Sequence, residues 1–196
     1  SDISDIRDPH KLIDLSWEYI TSDTENAKRI AKRALLLASQ KDSKQSVIQA
    51  LYVLGRANYL LDSYDSSVFY LQKALTLNRD QAEDSTTSKI LTALADTYFI
   101  MNEKQKAIPL YKEAIKIAEA NKLYEKHCNA SFLLGDLYHS QGNYRESLQA
   151  YQLCQNHIDK VKNQEFHANL YNRIGIIFYE TGSYENALNY YMKSLV

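Results

Sequence analysis

Small residues return at a fixed interval of 40 along this chain, each inside an otherwise apolar segment. The four positions are Gly55, Ala95, Gly135 and Gly175. A glycine inside a helix costs about 0.5–1 kcal/mol relative to alanine, so its periodic return needs a steric reason. Small side chains that face each other across two antiparallel helices supply one, because they let the backbones approach closely. The spacing therefore predicts a series of repeated helix pairs.

A second set of small residues and a set of turn signals follow in the same register. Twelve residues after each first position stand Ser67, Ala107, Ser147 and Ala187, and seven further on stand Ala74, Ala114, Cys154 and Ser194. Gly142 and Gly182 suit the left-handed residue that ends a helix. The next positions that favour an N-cap are Ser63, Asn143 and Ser183. Each repeat is therefore predicted to be helix, turn, helix.

The predicted helices cover nearly the whole chain, since five glycines and two prolines in 196 residues are few helix breakers. The first helices are predicted near residues 9–21, 45–61, 85–101, 124–141 and 165–181. The second helices are predicted near residues 23–40, 63–78, 103–121, 144–160 and 184–196. We thus expect one domain over 1–196, with repeats at about 9–40, 45–78, 85–121, 124–160 and 165–196. No helix pair buries its own apolar face, so stability must come from stacking.

This pattern resembles the tetratricopeptide repeat. The fourth repeat shows it most completely, in Leu134, Gly135, Tyr138, Gly142, Tyr144 and Tyr151, and the fifth repeats it in Gly175, Phe178, Gly182, Tyr184, Ala187 and Tyr191. The resemblance implies an all-α, right-handed α-α superhelix whose first helices line a concave groove. The period of 40 exceeds the common 34, and we assign the six extra residues to longer helices.

Two repeats depart from the pattern. The third has Lys104 in place of the turn tyrosine, and Pro109 early in its second helix, where we expect a slight bend rather than a break. In the first, Ser22 and Glu25 indicate a capping box that opens the second helix. Trp17 is predicted to cover the N-terminal end of the stack.

One stripe of each first helix, opposite the core, is predicted to face a ligand. Along this stripe, a level is the set of equivalent residues in repeats two to five. The four levels are Gln49, Lys89, Asn129 and Asn169; Tyr52, Thr92, Phe132 and Asn172; Arg56, Asp96, Asp136 and Ile176; and Tyr59, Phe99, His139 and Tyr179. Amide side chains offer a donor and an acceptor to a peptide backbone, and aromatic rings are common anchors. The alternative for the aromatic level is packing of first helix on first helix.

From this stripe we take a candidate peptide or partner groove. Its members are Arg56, Tyr59, Lys89, Asp96, Phe99, Asn129, Phe132, Asp136, His139, Asn169, Asn172 and Tyr179. Family members that grip the C-terminal carboxylate of chaperones use a two-lysine, asparagine clamp. The equivalent stretch here has Arg56, Lys89 and Thr92 with Asp96 beside them, so the clamp is not matched and that role is rejected.

Catalysis, metal binding and nucleic-acid binding find no support in the sequence. No G-x-S-x-G, P-loop or H-E-x-x-H motif occurs. Lysine plus arginine number 23 against 24 acidic residues, without the basic excess of a nucleic-acid binder. Asp96 and Asp136 lie on neighbouring predicted helices about 8–10 Å apart, which suits groove electrostatics. We expect His127, Cys128, Cys154 and His157 to be packing or surface residues, because one C-x-x-H pair is too few for zinc. No cofactor is expected.

No apolar run approaches the ~18 residues that span a bilayer, and the first residues lack the features of a signal peptide. We therefore expect no membrane insertion of this region and a cytoplasmic location, with an anchor elsewhere in a parent protein left open.

The segment LSWEYITSDTENAKRIAKRALLLA resembles input regions of bacterial signalling proteins. This favours a protein-binding or peptide-binding scaffold that serves as the regulatory or sensor region of a larger protein. The alternatives are a free-standing assembly adaptor and a homodimerisation module. Because Ala187, Leu188, Tyr191 and Leu195 share one helical face, we expect the native chain to continue with another helix, and the C-terminal end to fray or self-associate. That side is also predicted to leave Ile176, Ile177 and Tyr190 uncovered.

Overall fold

The computed structural model of the chain describes residues 5–78 and 85–195, and the regular structure in these ranges is helical. The first helices of the five repeats are α1 (Pro9–Tyr19), α3 (Lys44–Leu60), α5 (Ser85–Ile100), α7 (Tyr124–His139) and α9 (Gln164–Glu180). The second helices are α2 (Thr24–Gln40), α4 (Tyr64–Asn78), α6 (Lys104–Ala120), α8 (Tyr144–Gln155) and α10 (Tyr184–Ser194). A short 3-10 helix, Ile158–Lys160, follows α8. The predicted all-α fold is confirmed.

The helices form two compact units that divide inside α6, between Ala107 and Ile108. In the first unit, α1 packs on α2, and α3 packs on α4, with a core that includes Leu12, Ile30 and Leu54, each no more than 1% exposed. In the second unit, α7 packs on α8, and α9 packs on α10. The core there includes Tyr151, Leu170 and Ile177, all fully buried.

Each periodic glycine makes room for a bulky side chain sixteen residues later. A β-carbon at Gly55 would overlap Leu71, at Gly135 it would overlap the ring of Tyr151, and at Gly175 it would overlap the ring of Tyr191. The predicted contact of small residue with small residue also exists, because Ser147 Oγ donates a hydrogen bond to the Gly135 carbonyl at 2.7 Å. The expected close approach is therefore present, but its main purpose is to seat a large side chain.

The turns between paired helices repeat one backbone conformation. Asp62, Asn102, Gly142 and Gly182 have φ values of 55°, 60°, 71° and 79° and stand 40 residues apart. Asparagine, aspartate and glycine are the residues that tolerate this left-handed region best. The predicted role of the two glycines is confirmed. Asn143 and Ser183 occupy the predicted N-cap positions, but their side chains make no capping hydrogen bond.

Several predicted boundaries were wrong in detail. Helix α8 ends at Gln155 rather than near residue 160, because the chain turns into the 3-10 helix. Part of the extra length of the fourth repeat thus lies in a connector, whereas α6 is a long helix of 17 residues that continues through Pro109. Asp23, not Ser22, caps α2 by accepting from the Asn26 N–H. The last residue of the predicted 184–196 helix, Val196, lies outside the described residues.

Candidate functional site

The predicted stripe in the first unit contains an ion pair between two first helices. Arg56 Nη1 on α3 lies 3.6 Å from Asp96 Oδ2 on α5. The Arg56 guanidinium also stands over the ring of Tyr59, 5.1 Å from its centroid. The pKa of Tyr52 lies above its ordinary value, and the main cause is burial of the ring. The charge of Arg56 lowers this pKa and the charge of Asp96 raises it, and both effects are smaller than that of burial. These neighbours combine opposite charges with aromatic surface.

Trp17 joins this surface instead of covering the N-terminal end of the stack. Its ring lies 5.6 Å from the ring of Tyr52, and 37% of the side chain is exposed. The prediction for Trp17 was therefore wrong. The signal available in the sequence was that Trp17 follows the same helical stripe on α1 that Tyr52 occupies on α3.

The residues at the positions of the two-lysine, asparagine clamp do not present the side chains that such a clamp needs. Lys89 is exposed on α5, but Thr92 is buried and donates its hydroxyl hydrogen to the Ser88 carbonyl at 2.9 Å. Arg56 is paired with Asp96, as described above. Phe99 is half-buried. This arrangement supports the rejection of the chaperone clamp.

Three amide side chains in the second unit are exposed, as the stripe predicted. They are Asn129 on α7, and Asn169 and Asn172 on α9. Within the described part of the chain, none of the three has a hydrogen-bond partner for its side chain. Asn129 stands two helical turns before Asp136, and Asn169 stands one turn before Arg173. The amides therefore share a face with Asp136 and Arg173, which form an ion pair.

Asp136 is the centre of a polar network that ties this face to the core. The Tyr151 hydroxyl donates to Asp136 Oδ1 at 2.5 Å, and Arg173 Nε lies 3.3 Å from the same oxygen. Burial, followed by the Asp136 charge, raises the pKa of Tyr151 well above its ordinary range. Sequence reasoning missed Arg173, although its spacing of four from Asn169 was available. Asp96 and Asp136 thus each have their own arginine.

His139 is held by a partner on the neighbouring first helix. Its Nε2–H donates a hydrogen bond to Glu180 Oε2 at 2.7 Å. His139 is half-buried and Glu180 is exposed, so the contact lies at the edge of the face. Glu180 was absent from the predicted stripe.

The aromatic level packs on second helices. Tyr59, His139 and Tyr179 each contact the tyrosine five residues later, with ring centroids 6.0 Å, 5.9 Å and 5.5 Å from Tyr64, Tyr144 and Tyr184. His139 also contacts a first helix through Glu180, whereas the ring contacts of Tyr59 and Tyr179 are with second helices. Tyr179 remains 59% exposed. Each ring therefore packs across the turn that joins its two paired helices, and part of each ring stays exposed.

Phe132 belongs mainly to the core. It is half-buried, and its ring lies 5.6 Å from Tyr151 and 5.4 Å from Phe166. Phe132 therefore packs beneath the exposed face and does not offer a free ring to a partner.

A cavity of about 720 Å³ in the second unit was not anticipated. Its apolar floor comes from Leu134 and Tyr138 on α7, and its walls come from α6 and α8. The wall residues are Lys112, Ile115, Lys116, Glu119, Ala120, Glu146, Gln149, Ala150 and Leu153. The sequence signals nothing of this kind, because a cavity depends on the separation of two helices and not on the periodicity of either.

Both cysteines are free and fully buried. Cys128 Sγ donates to the Cys154 carbonyl at 3.2 Å, so it links α7 to the end of α8. The expected packing role of these two residues agrees with this position.

None of the helices in the described ranges combines the length and the apolar character that crossing a bilayer requires.

Comparisons with known proteins agree with this architecture. Sequence profiles described as tetratricopeptide repeat match residues 48–81, 88–121 and 127–195. The human Tetratricopeptide repeat protein 29 is 26% identical over 128 residues, which are 65% of this chain and 27% of that protein. The chain therefore spans little more than a quarter of this relative's length.

Two solved structures show the same fold at low sequence identity. BtubC (BKLC) from P. vanneervenii superposes with a TM-score of 0.82 at 14% identity, over 93% of this chain and 75% of that one. The apo form of RapI superposes with a TM-score of 0.76 at 16% identity, over 97% of this chain and 83% of that one. At these identities the likeness concerns the fold alone.

Proposed function

The chain belongs to the tetratricopeptide repeat family, and we propose that it binds an extended segment of a partner protein across the exposed faces of α7 and α9. Repeats of this family generally mediate protein–protein interactions, and proteins built from them generally act as non-enzymatic scaffolds. The proposal adds a location and a mode of recognition to that general role.

The observation that carries the proposal is the set of three exposed amides, Asn129, Asn169 and Asn172, which are unused inside the unit. An extended peptide presents alternating N–H and C=O groups, and an amide side chain matches both kinds. Groups that already hold an intramolecular partner would have to break that bond to bind. These three amides need only release water.

The Arg173–Asp136 pair beside the amides favours particular side chains in the partner segment. Arg173 is 45% exposed at its side chain, whereas Asp136 is 21% exposed and already accepts from Tyr151. Arg173 is thus the group that can turn toward an acidic or carbonyl partner, while Asp136 stays fixed. Tyr179 offers 59% of its surface as an apolar anchor at the far end of α9. We propose a partner segment with an acidic residue near an apolar one.

The exposed face of the first unit forms a second contact region in this proposal. It presents Lys89, the rings of Tyr59 and Trp17, and the Arg56–Asp96 pair. The Arg56 side chain is only 28% exposed, so the exposed Lys89 is the more accessible charge. We expect this region to prefer acidic and aromatic segments.

A matched pair of triple variants tests the proposal. One carries Asn129→Ala, Asn169→Ala and Asn172→Ala. The control removes three exposed amides from second helices, with Gln105→Ala, Gln152→Ala and Asn189→Ala. Quantitative mass spectrometry of captured proteins should show a partner that the control retains and the first variant loses, with equal helicity by circular dichroism. Equal capture by both variants would rule out the α7–α9 face.

A second candidate function is self-association through α10. Leu188 and Met192 are each 60% exposed and Leu195 is 86% exposed, so this helix presents contiguous apolar surface. The predicted exposure was wrong for Ile177, which is fully buried, and for Tyr190, which stacks on Phe178 at 5.5 Å. Sedimentation of the unmodified chain and of a Leu188→Gln, Met192→Gln variant distinguishes the cases. A dimer that the variant abolishes supports this candidate, and a monomer at all concentrations removes it.

A regulatory role in a larger signalling protein remains a proposal that rests on the resemblance of residues 15–38 to bacterial input regions. It predicts that the triple asparagine variant alters the output of the full-length protein. A free-standing adaptor would instead lose only its partner.

A further inference from the structure

Three side chains that are far apart in sequence converge at one end of the second unit. Glu119 lies in the last turn of α6, His127 in the first turn of α7, and His157 directly after α8. One ligand atom from each lies within 4.8 Å of the other two. We propose that Glu119, His127 and His157 form a binding site for a divalent transition-metal ion, with zinc as the best-fitting ion.

The state of His127 is the independent observation that points to a ligand. The residue is 1% exposed, and neither of its ring nitrogens has a hydrogen-bond partner. Its Nε2 faces Glu119 Oε2 at 3.6 Å, which is too long for a hydrogen bond. Buried polar atoms are nearly always paired, so an imidazole with two unpaired nitrogens requires an explanation. A metal ion between His127 and Glu119 would bind Nε2 and so give one of the two nitrogens its partner.

The fold holds the backbone of His157 close to His127. The backbone N–H of His157 donates to the Cys154 carbonyl at 3.0 Å, as α8 gives way to the connector. The His157 ring lies 5.0 Å from the ring of Tyr124 and 5.0 Å from the ring of His127. The early end of α8 thus has a local consequence, because it places an imidazole at the start of α7.

The ligand types and their spacing suit zinc. Zinc accepts imidazole nitrogen and carboxylate oxygen at about 2.0–2.2 Å, which places tetrahedral ligand atoms roughly 3.3 Å apart. The present spacing of up to 4.8 Å therefore has to close by a small side-chain rotation. Glu119 is exposed and His157 is half-buried, so both can rotate while His127 stays fixed. Two histidines and one carboxylate leave a fourth position for water or a partner's side chain.

The site differs from the C-x-x-H pair weighed in the sequence. Cys154 is buried and its carbonyl is engaged by Cys128, whereas the third ligand comes from Glu119 on another helix. Glu119 also lines the cavity between α6 and α8, so metal binding would hold one wall of that cavity in a fixed position. The bound ion would link α6, α7 and the connector after α8.

Zinc titration of the metal-stripped protein by calorimetry, with cobalt absorption as a second readout, tests the site. The unmodified chain should bind one ion, and Glu119→Gln and His157→Gln should each weaken binding by about tenfold or more, by analogy with the 10–100-fold cost of losing supporting partners. His139→Gln is the matched control, because it removes a histidine that contacts a glutamate without a third ligand. The control should bind zinc like the unmodified chain.

Three results would overturn the proposal. The first is the absence of stoichiometric zinc binding by the unmodified chain. The second is undiminished binding by both the Glu119→Gln and the His157→Gln variants, and the third is an equal loss in the His139→Gln control, since either would place the ion elsewhere. The two variants alter side chains that are not fully buried, and circular dichroism checks that they keep their helicity.

Discussion

Tyr151 lies across Gly135 so closely that a β-carbon at the glycine would overlap the tyrosine ring. The ring is fully buried, its hydroxyl is fixed to Asp136, and the Gly135 carbonyl accepts from Ser147. Neither partner is free to move aside. The register of α7 on α8 therefore depends on the absence of a side chain at residue 135.

We expect Gly135→Ala to lower the free energy of unfolding by about 1–2 kcal/mol. Overpacking costs about 1–3 kcal/mol, and the better helix propensity of alanine returns about 0.5–1 kcal/mol. Denaturant unfolding measures the difference. Adding Tyr151→Ala should remove the overlapping ring atoms, so the two substitutions should be strongly non-additive. Additive effects would contradict the contact.

Stability should decline in alkaline solution partly through Tyr151. Burial and the Asp136 charge raise the pKa of its phenol, so the folded state holds the proton more tightly than the unfolded chain, whose tyrosines titrate near ~10. The stabilisation is complete below pH ~10 and is lost as the pH rises beyond it. Unfolding measured between pH ~9 and ~11.5 should therefore show a slope shallower by up to ~1.4 kcal/mol per pH unit in Tyr151→Phe. Identical slopes would contradict this assignment.

The left-handed turn residues give a matched pair of substitutions. A β-carbon at Gly142, which has a φ of 71°, meets no atom within 4 Å, so Gly142→Ala should cost about 1–2 kcal/mol through backbone conformation alone. Lys122 adopts a φ of 55° with a side chain, so Lys122→Gly should stabilise by about 0.5 kcal/mol after the entropy of the unfolded glycine is subtracted. Lys122→Ala is the control, since it keeps the strain. A stabilising Gly142→Ala would refute the argument.

Most of the fold was predictable because the signals are local and periodic. The observed starts of α4, α6, α8 and α10 fall within one residue of the predictions, since each follows a turn that repeats every 40 residues. Helix α8 was predicted too long because nothing in its own sequence marks the 3-10 helix that replaces its last turn.

Contacts across elements were less predictable. The stripe placed Arg56 and Asp96 correctly on facing helices but missed Arg173 and Glu180, which reach Asp136 and His139 from positions just outside it. Long side chains extend beyond the stripe that their Cα atoms define. Glu119 could not be associated with His127 and His157 from the sequence, because that convergence depends on how three helix ends meet.

Site-specific photo-crosslinking tests the central claim, that the exposed face of α7 and α9 binds a partner segment. A photo-reactive amino acid replaces Asn172 on α9 or, as the control, Gln152 on α8; both positions are exposed. The claim predicts a discrete crosslinked partner from position 172 and none from position 152. Crosslinking of the same partner from position 152, with none from position 172, would contradict it.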